Sequence, residues 1–505
     1  MQNFIQNLRY DLSASIVVFF VALPLCLGIA LVSGVPLFSG IISGIIGGVV
    51  VGAVSRSPLG VSGPATGLAV IVFGYVATLG SFENFLVAVF LAGIIQIIMG
   101  MMRLGTIAYY FPSSVIKGML AGIGVIIIIK QIPHALGYNT GMARDFEEFL
   151  DEGALITLQK TVNNFTPAAI IISIISMSLL LSWESLAKKY KTFSVIPGPL
   201  AVVIVGIFAS NFMELAGHQI VQILVAENFS EFFSQFYLPN FDQLKNPQIY
   251  AMAMVIAIIA SLETLLCVEA TDKLDSLKRI TPTNRELKAQ GLGNIISGLI
   301  GGLPITQVIV RSSANITFGA RSKSSAILHG FLLLISAIAI PNLLNMIPLS
   351  SLACILIMVG YKLAKPSLIN EMRKLGFEQF LPFFVTIAGI VIFDLLKGVM
   401  FGMAISVLFI LYNNFRNALS REHIEDKEGK NHEHVIRLAE EVSFLNKGAI
   451  LQTLADIPEN SMVIIDGSKS KFIDYDVVEI IQNFRVQAKS KNISLTVKGV
   501  NLKKI

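Results

Sequence analysis

The sequence predicts a polytopic α-helical membrane protein that ends in a small cytoplasmic α/β domain. Three observations carry that expectation. Of 505 residues, 54% are hydrophobic and 14% charged, with mean hydropathy +0.72; soluble domains carry roughly 25% charged residues. The apolar residues gather in runs approaching the ~20 that cross a bilayer. One stretch of the first half also reappears, with the same punctuation, in the second.

Fourteen apolar segments are read as spans, near 12–33, 36–55, 62–79, 82–102, 113–136, 165–183, 195–216, 249–270, 286–302, 305–318, 324–341, 345–364, 380–396 and 399–416. The first runs past Pro24 to Val32 and shows no small-residue cleavage site, so it reads as a retained helix, kinked at Pro24, and not as a signal peptide. Segment 305–318 reaches only about 21 Å, short of a ~30 Å hydrocarbon core. Ile41-Ile42-Ser43-Gly44-Ile45-Ile46-Gly47-Gly48 recurs as Ile295-Ile296-Ser297-Gly298-Leu299-Ile300-Gly301-Gly302, and Pro64-Ala65-Thr66 is answered by Pro304-Ile305-Thr306. Small-residue packing motifs are common in membrane helices and offer chance as the rival explanation; two matches in the same order favour a true repeat. An odd number of spans separates the copies, so repeats of about 10–216 and 249–416 are expected to be inverted.

Positive residues set the orientation. Lys188, Lys189 and Lys191, then Lys273, Lys278, Arg279, Arg285 and Lys288, then Lys362, Lys365, Arg373 and Lys374 occupy loops an even number of spans apart. All are placed in the cytoplasm with both termini, in a plasma (inner) membrane. The acidic insert with Asp145, Glu147, Glu148, Asp151 and Glu152 and the loop 217–248 then lie outside. The transmembrane domain is taken as 1–418. Residues 419–432 read as a charged linker and 433–505 as alternating strands and helices: strands at 435–438, 462–466 and 493–497, helices at 446–456 and 474–489, the last with Val477, Val478, Ile481 and Phe484 on one face.

The chemistry follows from Gly60-Val61-Ser62-Gly63-Pro64-Ala65-Thr66-Gly67 and Gly301-Gly302-Leu303-Pro304-Ile305-Thr306-Gln307. Short, Gly/Pro-interrupted membrane segments at matching positions point to a transporter's binding site. A helix that starts inside the membrane presents unpaired N–H groups and the positive end of its dipole. Two such starts facing each other make an anion site. Pro64 and Pro304 suit a first helical turn, and Thr66 and Thr306 add hydroxyls. Arg311, two turns past Pro304, adds a full charge, unless it snorkels to the cytoplasmic end of its span. Glu263, mid-span in 249–270, can bind Na⁺, carry a proton, or simply pair with Arg311. Asp394 and Lys397 are read as interfacial.

Other classes are excluded or weakened. No P-loop, nucleophile elbow or His/Cys ligand spacing is present, so no enzyme, resident metal or cofactor is expected beyond Na⁺ or H⁺ as a coupling ion. Cys26, Cys267 and Cys354 are too scattered for a disulfide framework. No basic-aromatic surface suggests nucleic acid; the expected partners are a small inorganic anion and membrane lipid.

The segments Pro36-Leu37-Phe38-Ser39-Gly40-Ile41, Gly63-Pro64-Ala65-Thr66, Ser261-Leu262-Glu263, and Gly301-Gly302-Leu303-Pro304 through Arg311-Ser312-Ser313-Ala314-Asn315 to Gly319-Ala320-Arg321 resemble the sulfate permease (SulP) family of anion transporters. Val463-Ile464-Ile465-Asp466 and Phe472-Ile473-Asp474 resemble its STAS domain, here short and with Asp474-Tyr475-Asp476, without a serine, at the turn that is phosphorylated in bacterial anti-sigma antagonists. The resemblance implies a homodimer of two inverted seven-helix repeats, in which a core domain (spans 1–4 and 8–11) moves against a gate domain (5–7 and 12–14). It implies a sulfate- or bicarbonate-class substrate held between spans 3 and 10 by Ala65 and Thr66 and by Ile305, Thr306, Gln307 and Val308, with Arg311 after the site and Glu263 as the span-8 acid. Val308 and Val310 stand where many members have small or hydroxyl residues, which suggests a drier site. Two other readings are a proton-coupled nucleobase-type transporter of the same fold and a non-transporting sensor acting through the cytoplasmic domain.

Overall fold

The computed structural model describes residues 2–106, 111–138, 165–190, 196–213, 215–225, 229–393, 395–416, 419–425 and 432–500. The acidic insert, Lys191 and Asp394 lie outside these residues. Two compact units are present, one made of 1–376 with 383–401, the other of 377–382 with 402–505.

Each of the fourteen apolar segments contains a helix. In the first unit α1 (Gln2–Val32) stays helical through Pro24, which removes one hydrogen bond from the turn it enters. α2 (Leu37–Ile46) continues into a π turn, Gly47–Val51. The third segment is broken: a strand β1 (Ser62–Pro64), a 3-10 turn (Thr66–Leu68), then α3 (Ala69–Leu79). There follow α4 (Phe82–Met101), α5 (Ser113–Ala135), α6 (Pro167–Lys189), α7 (Gly198–Met213), α8 (Pro247–Leu274) and α9 (Thr283–Ile300). Gly301, at φ 85°, ends α9 in the left-handed conformation that glycine adopts without strain. The tenth segment is broken like the third: β2 (Ile305–Gln307), then α10 (Ile309–Thr317). α11 (Ser324–Ala339) and α12 (Leu349–Leu363) complete the first unit's series, and the residues of α13 (Phe377–Ile392) and α14 (Leu395–Arg416) are divided between the two units. Among the described residues, seven helices are long and apolar enough to cross a membrane by length and composition. α9 is not one of them, because Glu286, Gln290, Asn294 and Ser297 give it a polar, buried face.

Packing sorts the first unit's helices into two groups. α1, α2, α4, α8, α9, α10 and α11 pack among themselves; α5, α6, α7 and α12 form the other group, and α1 touches both α7 and α12. Glycine sets the closest approaches in each. A Cβ at Gly93 of α4 would stand 2.5 Å from the Gly291 carbonyl oxygen of α9, and one at Gly291 would stand 2.6 Å from that of Gly93. Gly124 of α5 and Gly360 of α12 meet in the same reciprocal way, at 2.5 and 2.6 Å. Only small residues let helix backbones come this close.

The second unit holds a four-stranded sheet of β3 (Leu419–Glu425), β4 (His432–Leu438), β5 (Met462–Asp466) and β6 (Ser494–Lys498), in that order. β3 and β4 are antiparallel, with Leu419 opposite Leu438; β5 runs parallel to β4 and to β6, with Ile464 opposite Val435 and Thr496. Leu419–Glu425, expected to be linker, is therefore strand: it has a ladder partner that its charged composition did not reveal. The crossovers carry α15 (Lys447–Ala455) and α16 (Tyr475–Ser490), and Val477, Ile481 and Phe484 of α16 pack with Ile436, Val463 and Ile465 of the sheet. Asp474 caps α16 by accepting from the Asp476 amide at 3.0 Å. Asp476 in turn meets Lys447 at 3.1 Å.

Candidate functional site

The two broken segments meet. β1 and β2 pair antiparallel, with Ser62 opposite Gln307, Gly63 opposite Thr306 and Pro64 opposite Ile305. One hydrogen bond extends the ladder at each end, from the Ala65 amide to the Pro304 carbonyl at 3.1 Å and from the Val308 amide to the Val61 carbonyl at 2.9 Å. Each strand then enters its own helix, so the two helical starts face each other across roughly 10 Å of paired strand. Their first-turn N–H groups have no intrahelical acceptor and carry the positive dipole ends.

This geometry corrects two expectations. Pro64 and Pro304 do not open helices: Pro64 lies in β1, Pro304 precedes β2, and the helical turns begin at Thr66 and Ile309. Arg311 therefore stands in the first turn of α10, not two turns inside it. A glycine-flanked segment can satisfy its backbone with a partner strand as well as with a helix, and only the fold supplies that strand.

Directly opposed residues of a strand pair share a face. Gly63 and Thr306 face one way, towards Arg311. The guanidinium fills the space a Gly63 side chain would occupy, since a Cβ there would overlap Nη1. Arg311 is 0% exposed, which removes the snorkelling alternative. Its Nη2 donates to the Cys26 thiol of α1 at 3.3 Å, while among the described residues Nε and Nη1 have no hydrogen-bond partner. The buried Thr306 hydroxyl is likewise without a partner. A buried cation without a counter-charge is strongly destabilising, so this face of the strand pair presents unmet donors and unmet positive charge.

The opposite face is held by a ladder on α9. Glu286 accepts from Ser55 and, at 2.8 Å, from Gln290, which also donates to Ser62 at 2.7 Å. Asn294 grips the backbone of Ile305 from both sides: Oδ1 accepts from its amide at 2.6 Å and Nδ2 donates to its carbonyl at 3.1 Å. Asn294 also donates to Gln96 of α4 at 2.7 Å, and Ser297 donates to the Leu303 carbonyl at 2.6 Å. Ser312 closes the other end, accepting from the Val61 amide at 3.0 Å. These positioning residues were missed in the sequence. Their visible signal was a recurrence of polar residues every third or fourth position in segment 286–302, the spacing of one helix face.

The other expected residues fall as follows. Ala65 is buried and stands just before the 3-10 turn that Thr66 begins. Ile305 and Gln307 are buried, and Gln307 donates to Thr271 of α8 at 3.1 Å while its Oε1 has no hydrogen-bond partner among the described residues. Val308 precedes the first turn of α10. Glu263 of α8 does not pair with Arg311: its Oε1 accepts from the Gly67 amide at 3.3 Å, and its Oε2 has no hydrogen-bond partner among the described residues. Its carboxyl thus sits at the start of the helix that follows β1, where negative charge is favoured. The structure gathers all eight expected residues around one strand crossing but separates the acid from the base.

The sulfate permease family model matches residues 8–386. A Bacillus subtilis (strain 168) protein provisionally named as a sulfate transporter, YvdB, is 29% identical over 81% of this chain and 74% of its own. The bicarbonate transporter BicA of Picosynechococcus sp. (strain ATCC 27264 / PCC 7002 / PR-6) is 24% identical over 79% of this chain and 70% of its own. Among solved structures, the fold is similar to that of SLC26A9, with TM-score 0.77 at 17% identity over 98% of this chain and 84% of that one. It is also similar to the transmembrane domain of a cyanobacterial BicA, with TM-score 0.63 at 24% identity over 78% and 97%. This is a helical membrane protein of a transporter family and not an enzyme: the chain belongs to the sulfate permease family.

Proposed function

We propose that this protein is a secondary active transporter of a small inorganic anion of the sulfate or bicarbonate class, which binds between the helical starts that follow β1 and β2. The observation that carries the reading is the buried, uncompensated Arg311 guanidinium lying against Gly63 beside the unpartnered Thr306 hydroxyl. An oxyanion would supply the missing charge and accept from the free N–H and O–H groups. Ala65, Thr66, Ile305, Gln307 and Val308 form the rest of the site, largely through backbone. The unpartnered Oε2 of Glu263 is free to take a coupling Na⁺ or H⁺. The wider reading has fourteen spans in two inverted seven-helix repeats, with a core moving against a gate in elevator-type alternating access. It places a STAS-like domain and both termini in the cytoplasm of a homodimer in the plasma (inner) membrane. The relatives named for sulfate and bicarbonate transport support the substrate class.

The test is uptake of labelled sulfate into proteoliposomes with and without an inward Na⁺ gradient, with bicarbonate as competitor. Na⁺-driven uptake, lost in Arg311→Gln and Glu263→Gln proteins that remain folded, is the expected outcome. Uptake indifferent to Na⁺ shifts the coupling to protons or exchange. Wild-type transport by both variants would sink the site assignment, and no flux of either anion in the wild type would sink the transporter reading.

A further inference from the structure

The face of the strand pair turned away from Arg311 shows the opposite imbalance. Ser62 and Gln307 are directly opposed and share that face. Gln290 of α9 reaches it with its amide nitrogen, which donates to Ser62 at 2.7 Å and to Glu286 at 2.8 Å. Its amide oxygen has no hydrogen-bond partner among the described residues, and neither has that of Gln307. Both glutamines are 0% exposed and Glu286 is 1% exposed. The partners fix both amide orientations. Gln290 meets a carboxylate, and Gln307 meets a Thr271 oxygen whose own proton goes to the Cys267 carbonyl at 2.6 Å, so each must present N–H there.

The chain from Ser55 to Ser62 draws these oxygens together. Ser55 donates to Glu286 and accepts from the Ser57 amide at 2.9 Å. Ser57 Oγ and Gln307 Oε1 lie side by side over Gly60, where a Cβ would stand 2.5 and 2.6 Å from them. Both hydrogen-bond partners of Glu286 are neutral. Arg285 and Lys323, the basic groups that approach Ser55, donate instead to the carbonyls of Val54, Ala53 and Ser55. The start of α9 offers only partial positive charge. A water would satisfy one amide oxygen but leave the charge of a buried carboxylate unmet, which is costly.

We propose that Glu286, Gln290 Oε1 and Gln307 Oε1, with the Ser57 hydroxyl, bind a monovalent cation, Na⁺. Oxygen donors alone suit a hard cation. No group of three His, Cys, Asp or Glu side chains able to hold a metal occurs among the described residues, so one carboxylate is matched by one positive charge. The site is separate from Glu263, which meets Gly67 beyond the far end of β1. It stands on this cluster and not on the transporter reading.

The experiment uses the full-length protein in detergent. The midpoint of thermal unfolding is followed as Na⁺ replaces choline at constant ionic strength and chloride, and bound labelled Na⁺ is counted per folded protein. A ligand that binds only the folded state raises the midpoint in a saturable way, and this is expected of the wild type. In Glu286→Gln about one Na⁺ fewer is expected per protein, while Glu263→Gln still binds Na⁺. Gln307→Leu, which keeps the carboxylate, is expected to need about tenfold more Na⁺ for the same rise, and it serves where Glu286→Gln does not fold. A wild-type midpoint indifferent to Na⁺ overturns the proposal. So does loss of all Na⁺ binding in Glu263→Gln, or a Glu286→Gln protein that is less stable yet keeps the full Na⁺ count, which would make the carboxylate a structural rung of α9 only. A wild type that moves no anion but binds Na⁺ through Glu286 removes the transporter reading and supports this one.

Discussion

Gly63 and Arg311 form a unit: one supplies absence of volume, the other the charge that fills it. Gly63→Ala places a methyl group where Nη1 now lies, forcing the guanidinium off the strand pair. Uptake is expected to fall at least tenfold, as far as with Arg311→Gln, while the yield of folded protein stays near wild type; sulfate or bicarbonate flux per folded transporter checks this. Asn294 makes a different kind of contribution. Asn294→Ala leaves the Ile305 amide without the acceptor it now has at 2.6 Å, and an unsatisfied buried amide costs about 1–3 kcal/mol. A lowered thermal midpoint together with reduced flux is the expected outcome, whereas a change in flux alone would mean that the strand holds its place without the clamp.

α9 does two jobs on two faces. Its glycines bring it against α4, and its polar side chains reach across to β1 and β2. The two jobs are coupled through rigid geometry, since a shift of α9 away from α4 would drag Asn294 away from Ile305. Gly93→Val drives two extra methyl groups and the Cβ itself into the Gly291 carbonyl. Overpacking of this kind typically costs about 1–3 kcal/mol. The expected result is a loss of thermal stability and of uptake together; the matching change at Gly124, which touches α12, is expected to lower stability with less effect on the strand pair.

The first unit's two helix groups are the bodies whose relative movement the proposed transport cycle requires. Gly28 of α1 and Leu356 of α12 lie across their junction, a Cβ at Gly28 standing 2.8 Å from Leu356 Cδ1. A Gly28→Cys/Leu356→Cys protein, in a background where Cys26, Cys267 and Cys354 are serine and uptake persists, is expected to lose flux on oxidation and recover it on reduction. Full flux in the oxidised, cross-linked protein would mean that these groups do not move past each other during the cycle.

The sequence by itself determined the class of molecule and marked the two broken segments. Hydropathy placed the helices because lipid demands long apolar runs, and glycine and proline marked the two broken segments because those residues fit only where regular structure stops. The longer C-terminal strands and helices were legible from their periods, but Leu419–Glu425, whose charged residues concealed a strand, and the two-residue strand Glu441–Val442 were not. Tertiary structure alone decided what the broken segments do. They pair with each other before becoming helical, which moved Arg311 into a first turn and Pro64 into a strand. It also decided which charges stay unmet. Glu263 and Arg311 are each consistent with an ion pair in sequence, yet the fold spends Glu263 on the Gly67 amide and leaves the guanidinium buried against Gly63. Hydrogen bonds and charge compensation depend on contacts between residues hundreds of positions apart, and periodicity, a local property, carries no record of them.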